Sequence, residues 1–196
     1  LIQLPLLKTP TNMHFLECYA LNCGLKIDRP FIEEEPCEIP TGDYITFHGT
    51  HSFQSKSYGF WQEVIDFTKG SFPDISIVQL GTESSERKYD NTENYLGKTN
   101  FNQSAYLMKR AKLHFGIDSF PAHLASCFEI PSVVLYSHTY KEQCYPFFTK
   151  LKHLRLIQAP LNTVRPSYNN KEEVPCINNV RPLEISEAID ELLSNT

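Results

Sequence analysis

The chain has 196 residues, 41% of them hydrophobic and 21% charged, the make-up of one globular domain with enough length to bury a core. A formal net charge of −5 and an isoelectric point near 5.8 exclude the basic footprint of a nucleic-acid binder. No apolar run approaches the ~20 residues of a membrane span, and the opening LIQLPLL lacks a basic start and contains Pro5, so it reads as connector or strand and not as a signal peptide.

Residues 12–23 place Met13, Leu16, Tyr19, Ala20 and Cys23 on one helical face, with Gly24 suited to end the helix. A Pro- and Glu-rich stretch follows through Pro40, and Glu33, Glu34 and Glu35 within it predict an exposed loop. Residues 44–47 predict a buried strand, 48–57 a polar loop, and 60–68 an amphipathic helix ending near Gly70. Residues 75–80 predict a strand closed by Gly81, and 95–96 a short strand. Residues 101–110 predict a helix capped by Asn100 or Asn102, with Lys109, Arg110 and Lys112 on its solvated side. Then come a strand over 113–117, a helix over 121–128, strands over 132–136 and 153–157, and a final helix over 184–193.

Strands alternating with helices predict an α/β fold, a Rossmann-like parallel sheet with helices on both faces. Ligands of such sheets bind beyond the carboxyl ends of the strands, which directs attention to loops 48–58, 81–93, 117–123 and 137–147. The six cysteines, Cys18, Cys23, Cys37, Cys127, Cys144 and Cys176, form no CxxC pair, and no histidines stand at zinc spacing. They predict free thiols in a reducing compartment and hence a cytoplasmic protein, with any membrane contact peripheral.

Three segments could carry chemistry. Gly116-Ile-Asp-Ser-Phe-Pro-Ala-His-Leu-Ala125 follows a strand and opens a helix, whose start attracts phosphate through its amides and dipole. From residue types alone, Asp118 and Ser119 read equally as an ordinary strand end and cap, and His123 as a packed histidine. His48-Gly-Thr-His-Ser-Phe-Gln-Ser-Lys-Ser57 supplies Gly49 for close backbone approach, Lys56 as a cation, and the hydroxyls of Thr50 and Ser52. It reads as an anion site or as a solvated loop. Gly81-Thr-Glu-Ser-Ser-Glu86 offers Glu83 beyond a strand end, either for ribose hydroxyls or as a plain acidic loop.

In this order the segments resemble family 9 glycosyltransferases, the heptosyltransferase group. The family's second domain runs strand, H-x-G loop with a distal Lys, helix, strand, G-x-E; here YITFHGTHSFQSK, FWQEV and ISIVQLGTE. A "GKT-L" segment follows as Leu96-Gly-Lys-Thr-Asn-Phe101. The signature D-[ST]-G-x-x-H-x-A with "P-v-v-L-[FY]-[GS]-x-T" reads Asp118-Ser-Phe-Pro-Ala-His-Leu-Ala125 and Pro131-Ser-Val-Val-Leu-Tyr-Ser-His-Thr139.

The resemblance covers about residues 40–195 and implies the C-terminal, nucleotide-sugar-binding half of a GT-B enzyme. Residues 1–40 would be an interdomain connector and helix, and 41–196 the donor domain. The acceptor domain, which holds the general base, is expected to lie outside this chain. The implied reaction is inverting transfer of a heptose or hexose from an ADP- or UDP-linked donor to a glycan or lipid-linked acceptor, with no metal cofactor. Lys56 and Asp118 take the catalytic roles, Lys56 against phosphate charge and Asp118 on the donor sugar. Ser119, Phe120, Pro121 and Ala122 would hold the diphosphate by backbone N–H groups, with Thr50 and Ser52 adding hydroxyls. Glu83 would bind ribose, His123 would order the loop or approach a phosphate, and Gly97–Thr99 would flank the base. Phe120 departs from the signature's Gly and is expected to pack on the donor or on the other domain.

Other readings are a non-catalytic module that keeps the fold, a nucleotide-sugar epimerase of the same half-domain type, and an NAD enzyme. The last lacks a GxGxxG after the first strand.

Overall fold

The structure is a computed structural model that describes residues 13–49, 54–82, 87–137, 139–160 and 176–195. Its elements are α1 (Phe15–Cys23), β1 (Tyr44–His48), α2 (Trp61–Ser71), β2 (Ser76–Gln79), β3 (Glu93–Asn94), α3 (Phe101–Arg110), β4 (His114–Ile117), α4 (Phe120–Cys127), β5 (Ser132–Tyr136), α5 (Lys141–Cys144), β6 (Leu154–Gln158) and α6 (Pro182–Ser194). The six strands form one sheet in the order β3-β2-β1-β4-β5-β6, and every pairing is parallel.

Side chains alternate across this sheet with the period of two that a strand imposes. Ile45, Phe47, Leu113, Phe115, Ile117, Val133 and Leu135 join Trp61, Val64 and Ile65 of α2 and Ile185, Ile189 and Leu192 of α6 in one buried cluster. On the opposite face, Tyr44 and Val78 pack with Ala105, Leu107 and Met108 of α3 and Leu124 and Ala125 of α4. Phe47 stacks on Phe115 at 4.8 Å and meets Trp61 edge-on at 5.2 Å, which anchors α2 to the middle strands.

Helix ends follow local chemistry. Asn100 caps α3 in a reciprocal capping box with Gln103. His14 caps α1 together with Glu17, and Gly24 closes it in the left-handed region. Helix α2 runs through Gly70 and ends at Ser71, close to the expected stop near Gly70. The expected apolar face of α1 buries none of its residues, and Tyr19 and Leu21 are exposed. The Glu33–Glu35 stretch is not a plain exposed loop. Glu34 pairs with Lys109 and Arg110, and Glu35 accepts from Asn100 and Gln103, so the segment clamps α3. Among the described residues no helix is long and apolar enough to cross a membrane.

Candidate functional site

The strand order creates the site. From β1 the chain moves outward to β2 and β3, then crosses back to place β4 on the other side of β1. Connections leaving β1 and β4 therefore diverge at the carboxyl edge, the switch point where ligands of such sheets bind. Lys56 lies in the connection after β1, and Asp118 directly follows β4. They meet there: Lys56 Nζ donates to the Asp118 main-chain carbonyl at 2.6 Å and to Asp118 Oδ2 at 3.0 Å. Both residues are buried, 9% and 6% exposed. Beneath them Gly116 lies opposite His48, and a Cβ on Gly116 would stand 2.1 Å from the His48 carbonyl oxygen. Only glycine lets the two strands approach there.

Asp118 is held by several groups at once. Thr139 Oγ1 donates to Oδ2 at 2.8 Å, and the Cys144 thiol lies 3.9 Å from the same oxygen. His123 Nε2 stands 3.6 Å from Oδ1, too long for a hydrogen bond but close enough for an ion pair, on a side chain 45% exposed. Burial alone would raise the Asp118 pKa. The His123 ring, the Lys56 charge and the Thr139 hydroxyl outweigh it and hold the carboxyl well below the usual range. Asp118 is thus ionised at neutral pH. Cys144, pushed up to about 12 by burial first and then by the Asp118 charge, stays a thiol and no nucleophile.

Ser119 occupies the N-cap position of α4 in extended conformation, but its side chain does not cap the helix. Its Oγ lies 2.9 Å from His48 Nδ1 and 3.3 Å from the Ile117 carbonyl oxygen. An N-cap serine ordinarily satisfies an amide of the first turn; here the hydroxyl is diverted to β1. The expectation that residues 119–122 all present amides needs correction. Pro121 has no N–H, and the Ala122 N–H donates to the Ser119 carbonyl at 3.1 Å. Among the described residues, the amides of Ser119 and Phe120 have no backbone partner, and they sit at the positive end of the helix dipole.

Of the other expected site residues, Thr50, Ser52 and Glu83 lie outside the described residues. Gly49 is needed for the core: a Cβ would strike the Phe47 and Trp61 rings, and the Trp61 indole donates to the Gly49 carbonyl at 3.0 Å. The Gly97–Thr99 turn is tied to Gly81 by a backbone bond of 2.9 Å, and Lys98 and Thr99 line a cleft of about 400 Å³ with Tyr95 and Glu93. Two participants escaped sequence reasoning, Thr139 and His48. Their signals were present, since Thr139 ends the Pro131–Thr139 motif and His48 opens the H-x-G loop. Among the described residues no group of three or more His, Cys, Asp or Glu could hold a metal ion.

The family model for "Glycosyltransferase family 9 (heptosyltransferase)" matches residues 24–172, three quarters of the chain. The chain belongs to glycosyltransferase family 9. Solved structures show the same fold. A family 9 glycosyl transferase from Veillonella parvula superposes with a TM-score of 0.63 at 15% identity, over 79% of this chain and 46% of that one. The ADP-heptose lipopolysaccharide heptosyltransferase II of E. coli gives 0.59 at 16%, over 91% and 51%. The E. coli heptosyltransferase WaaC with ADP gives 0.57 at 16%, over 79% and 46%. The chain thus spans about half the length of these family 9 relatives. No curated protein matches the sequence at a significant level.

Proposed function

We propose that this family 9 chain is the donor-binding half of a GT-B glycosyltransferase that takes a nucleoside-diphosphate sugar. The observation that carries the reading is the meeting of Lys56 and Asp118 beside the start of α4 at the sheet's switch point. A lysine ammonium has three donors. Among the described residues two go to Asp118, and in this reading the third serves a diphosphate oxygen, next to the Ser119 and Phe120 amides. Fixed positive groups aimed at one place stabilise the charge that builds on a departing diphosphate. In this reading they do so without a metal ion. Asp118 Oδ1, on the side of His123, accepts from a hydroxyl of the donor sugar.

The reaction then runs as a single inverting displacement. An acceptor hydroxyl, on a glycan or lipid-linked acceptor, attacks the anomeric carbon of a heptosyl or hexosyl donor. The bond from that carbon to the diphosphate oxygen breaks, and the proton goes to a base. Acceptor and base belong to a second domain outside residues 41–196, with residues 1–40 as the connection. ADP is the first donor base to test, because ADP accompanies WaaC. The six free thiols support a cytoplasmic setting.

Thermal unfolding with ADP, UDP and their sugar conjugates tests the reading. At a ligand concentration about 100-fold above Kd, linkage adds about 2.7 kcal/mol, a Tm rise of roughly 5–10 °C for a domain of this size. Lys56→Met abolishes the rise. A flat response to every nucleoside diphosphate refutes the proposal. Product analysis on the complete assembly separates transfer from epimerisation.

A further inference from the structure

The start of α4 carries an aromatic pair that no buried core explains. Phe120, its first residue, is 51% exposed, and Phe101, the first residue of α3, is 48% exposed. Their rings lie against each other, centroids 5.3 Å apart and tilted by 39°. Neither belongs to a buried cluster of the fold. Phe120 follows directly on Ser119, whose amide is one of the proposed diphosphate donors. Phe101 follows two residues after Thr99, which lines the cleft at the Gly97–Thr99 turn. By chain position the pair therefore joins the phosphate turn to the turn that lines that cleft, at the carboxyl edge of the sheet, although neither ring lines the cleft itself.

We infer that Phe101 and Phe120 form a stacking shelf for the base of the bound nucleoside diphosphate; the inference rests on the proposed function. A nucleobase fits this occupancy by chemistry. It has a flat π-face, it is tethered to the diphosphate through a ribose, and it needs an apolar surface a short reach from the phosphate turn. Half-open aromatic rings supply that surface, and stacking tolerates different bases. The Gly97–Thr99 turn then borders the base at its edge, with Lys98 and Thr99 able to read its polar rim.

The test compares ADP with inorganic pyrophosphate by calorimetric titration of the wild-type chain, Phe120→Leu and Phe101→Leu. Leucine keeps apolar bulk at a half-exposed site and removes the π-face, so folding is preserved, which an unchanged Tm without ligand verifies. Each variant should bind ADP roughly tenfold or more weakly while its pyrophosphate affinity is unchanged. Unchanged ADP affinity in both variants overturns the shelf and leaves the donor site standing. Equal weakening of ADP and pyrophosphate also overturns it, because the phenylalanines then act through the phosphate turn. If the wild-type chain binds neither ligand, the donor-site reading and the shelf fall together.

Discussion

Lys56→Met probes the junction on which the site is built. The substitution removes the ammonium that donates to the carbonyl and the carboxylate of Asp118, and leaves a buried carboxylate with the Thr139 hydroxyl and His123 at 3.6 Å. Breaking one partner of a buried ion pair costs about 3–5 kcal/mol, because the other charge stays desolvated and uncompensated. For a domain of this length that is a Tm loss on the order of 10 °C. Asp118→Asn alone should also destabilise, since it leaves the buried ammonium unpaired. The double variant should recover part of the loss, with a coupling of about 2 kcal/mol in a double-mutant cycle read by urea unfolding at pH 7. The sign with pH follows from the depressed Asp118 pKa. Its stabilisation is full above the ordinary carboxylate range near 4 and is lost as pH falls below it. The gap between wild type and Lys56→Met should therefore narrow on acidification. A Lys56→Met loss below about 1 kcal/mol, or strictly additive single losses, refutes the ion pair as the keystone.

Gly116→Ala puts a Cβ 2.1 Å from the His48 carbonyl oxygen and must part β1 from β4, so it should cost about 3 kcal/mol in urea unfolding and weaken ADP binding with it. An unchanged midpoint would show that the strands part without penalty. His114 is fully buried, with Nδ1 3.0 Å from Thr46 Oγ1 and Nε2 without a partner among the described residues. Burial first, then the neighbouring His48, hold its pKa down to about 3 against the Thr46 hydrogen bond. The unfolded chain then binds the extra proton, so stability falls from pH 6.5 toward 3 by about 1.4 kcal/mol per pH unit from this residue. His114→Gln should remove that slope between pH 6 and 4; an identical slope in the variant would assign it elsewhere.

The central strands were legible because buried parallel strands are apolar runs such as Tyr44–Phe47 and Ser132–Tyr136. The edge strand was not: β3 is Glu93–Asn94, two residues before the expected Tyr95–Leu96. A polar dipeptide on a sheet edge carries no hydrophobic signal, and its place is set by pairing with Val78 and Gln79. Helix α5, only Lys141–Cys144, fell inside an expected loop for the same reason of length. The Glu34 clamp on Lys109 and Arg110 joins residues about 75 apart, beyond any local pattern. At the site, the resemblance sets Lys56 and Asp118 around one diphosphate donor, without a bond between them. That they bond each other follows from β1 and β4 being neighbours, and strand order is not written in either segment.

That bond also limits what a ligand can do there. An anion approaching Lys56 meets an ammonium whose charge Asp118 already balances, so the cation alone is a weak lure. The net attraction must come from the added amides of Ser119 and Phe120 and the α4 dipole. The Ser119 hydroxyl, held on His48, does not compete for these amides: an N-cap hydroxyl could reach only the Ala122 N–H, since Pro121 has none. The same balance keeps Lys56 from swinging toward solvent when no ligand is bound, so the donors are aimed before the charge arrives. Preorganisation of this kind lowers the reorganisation cost of stabilising a leaving diphosphate. It also separates two roles at Asp118: Oδ2 orients the lysine and Thr139, while Oδ1 looks toward His123, where a sugar hydroxyl would bind.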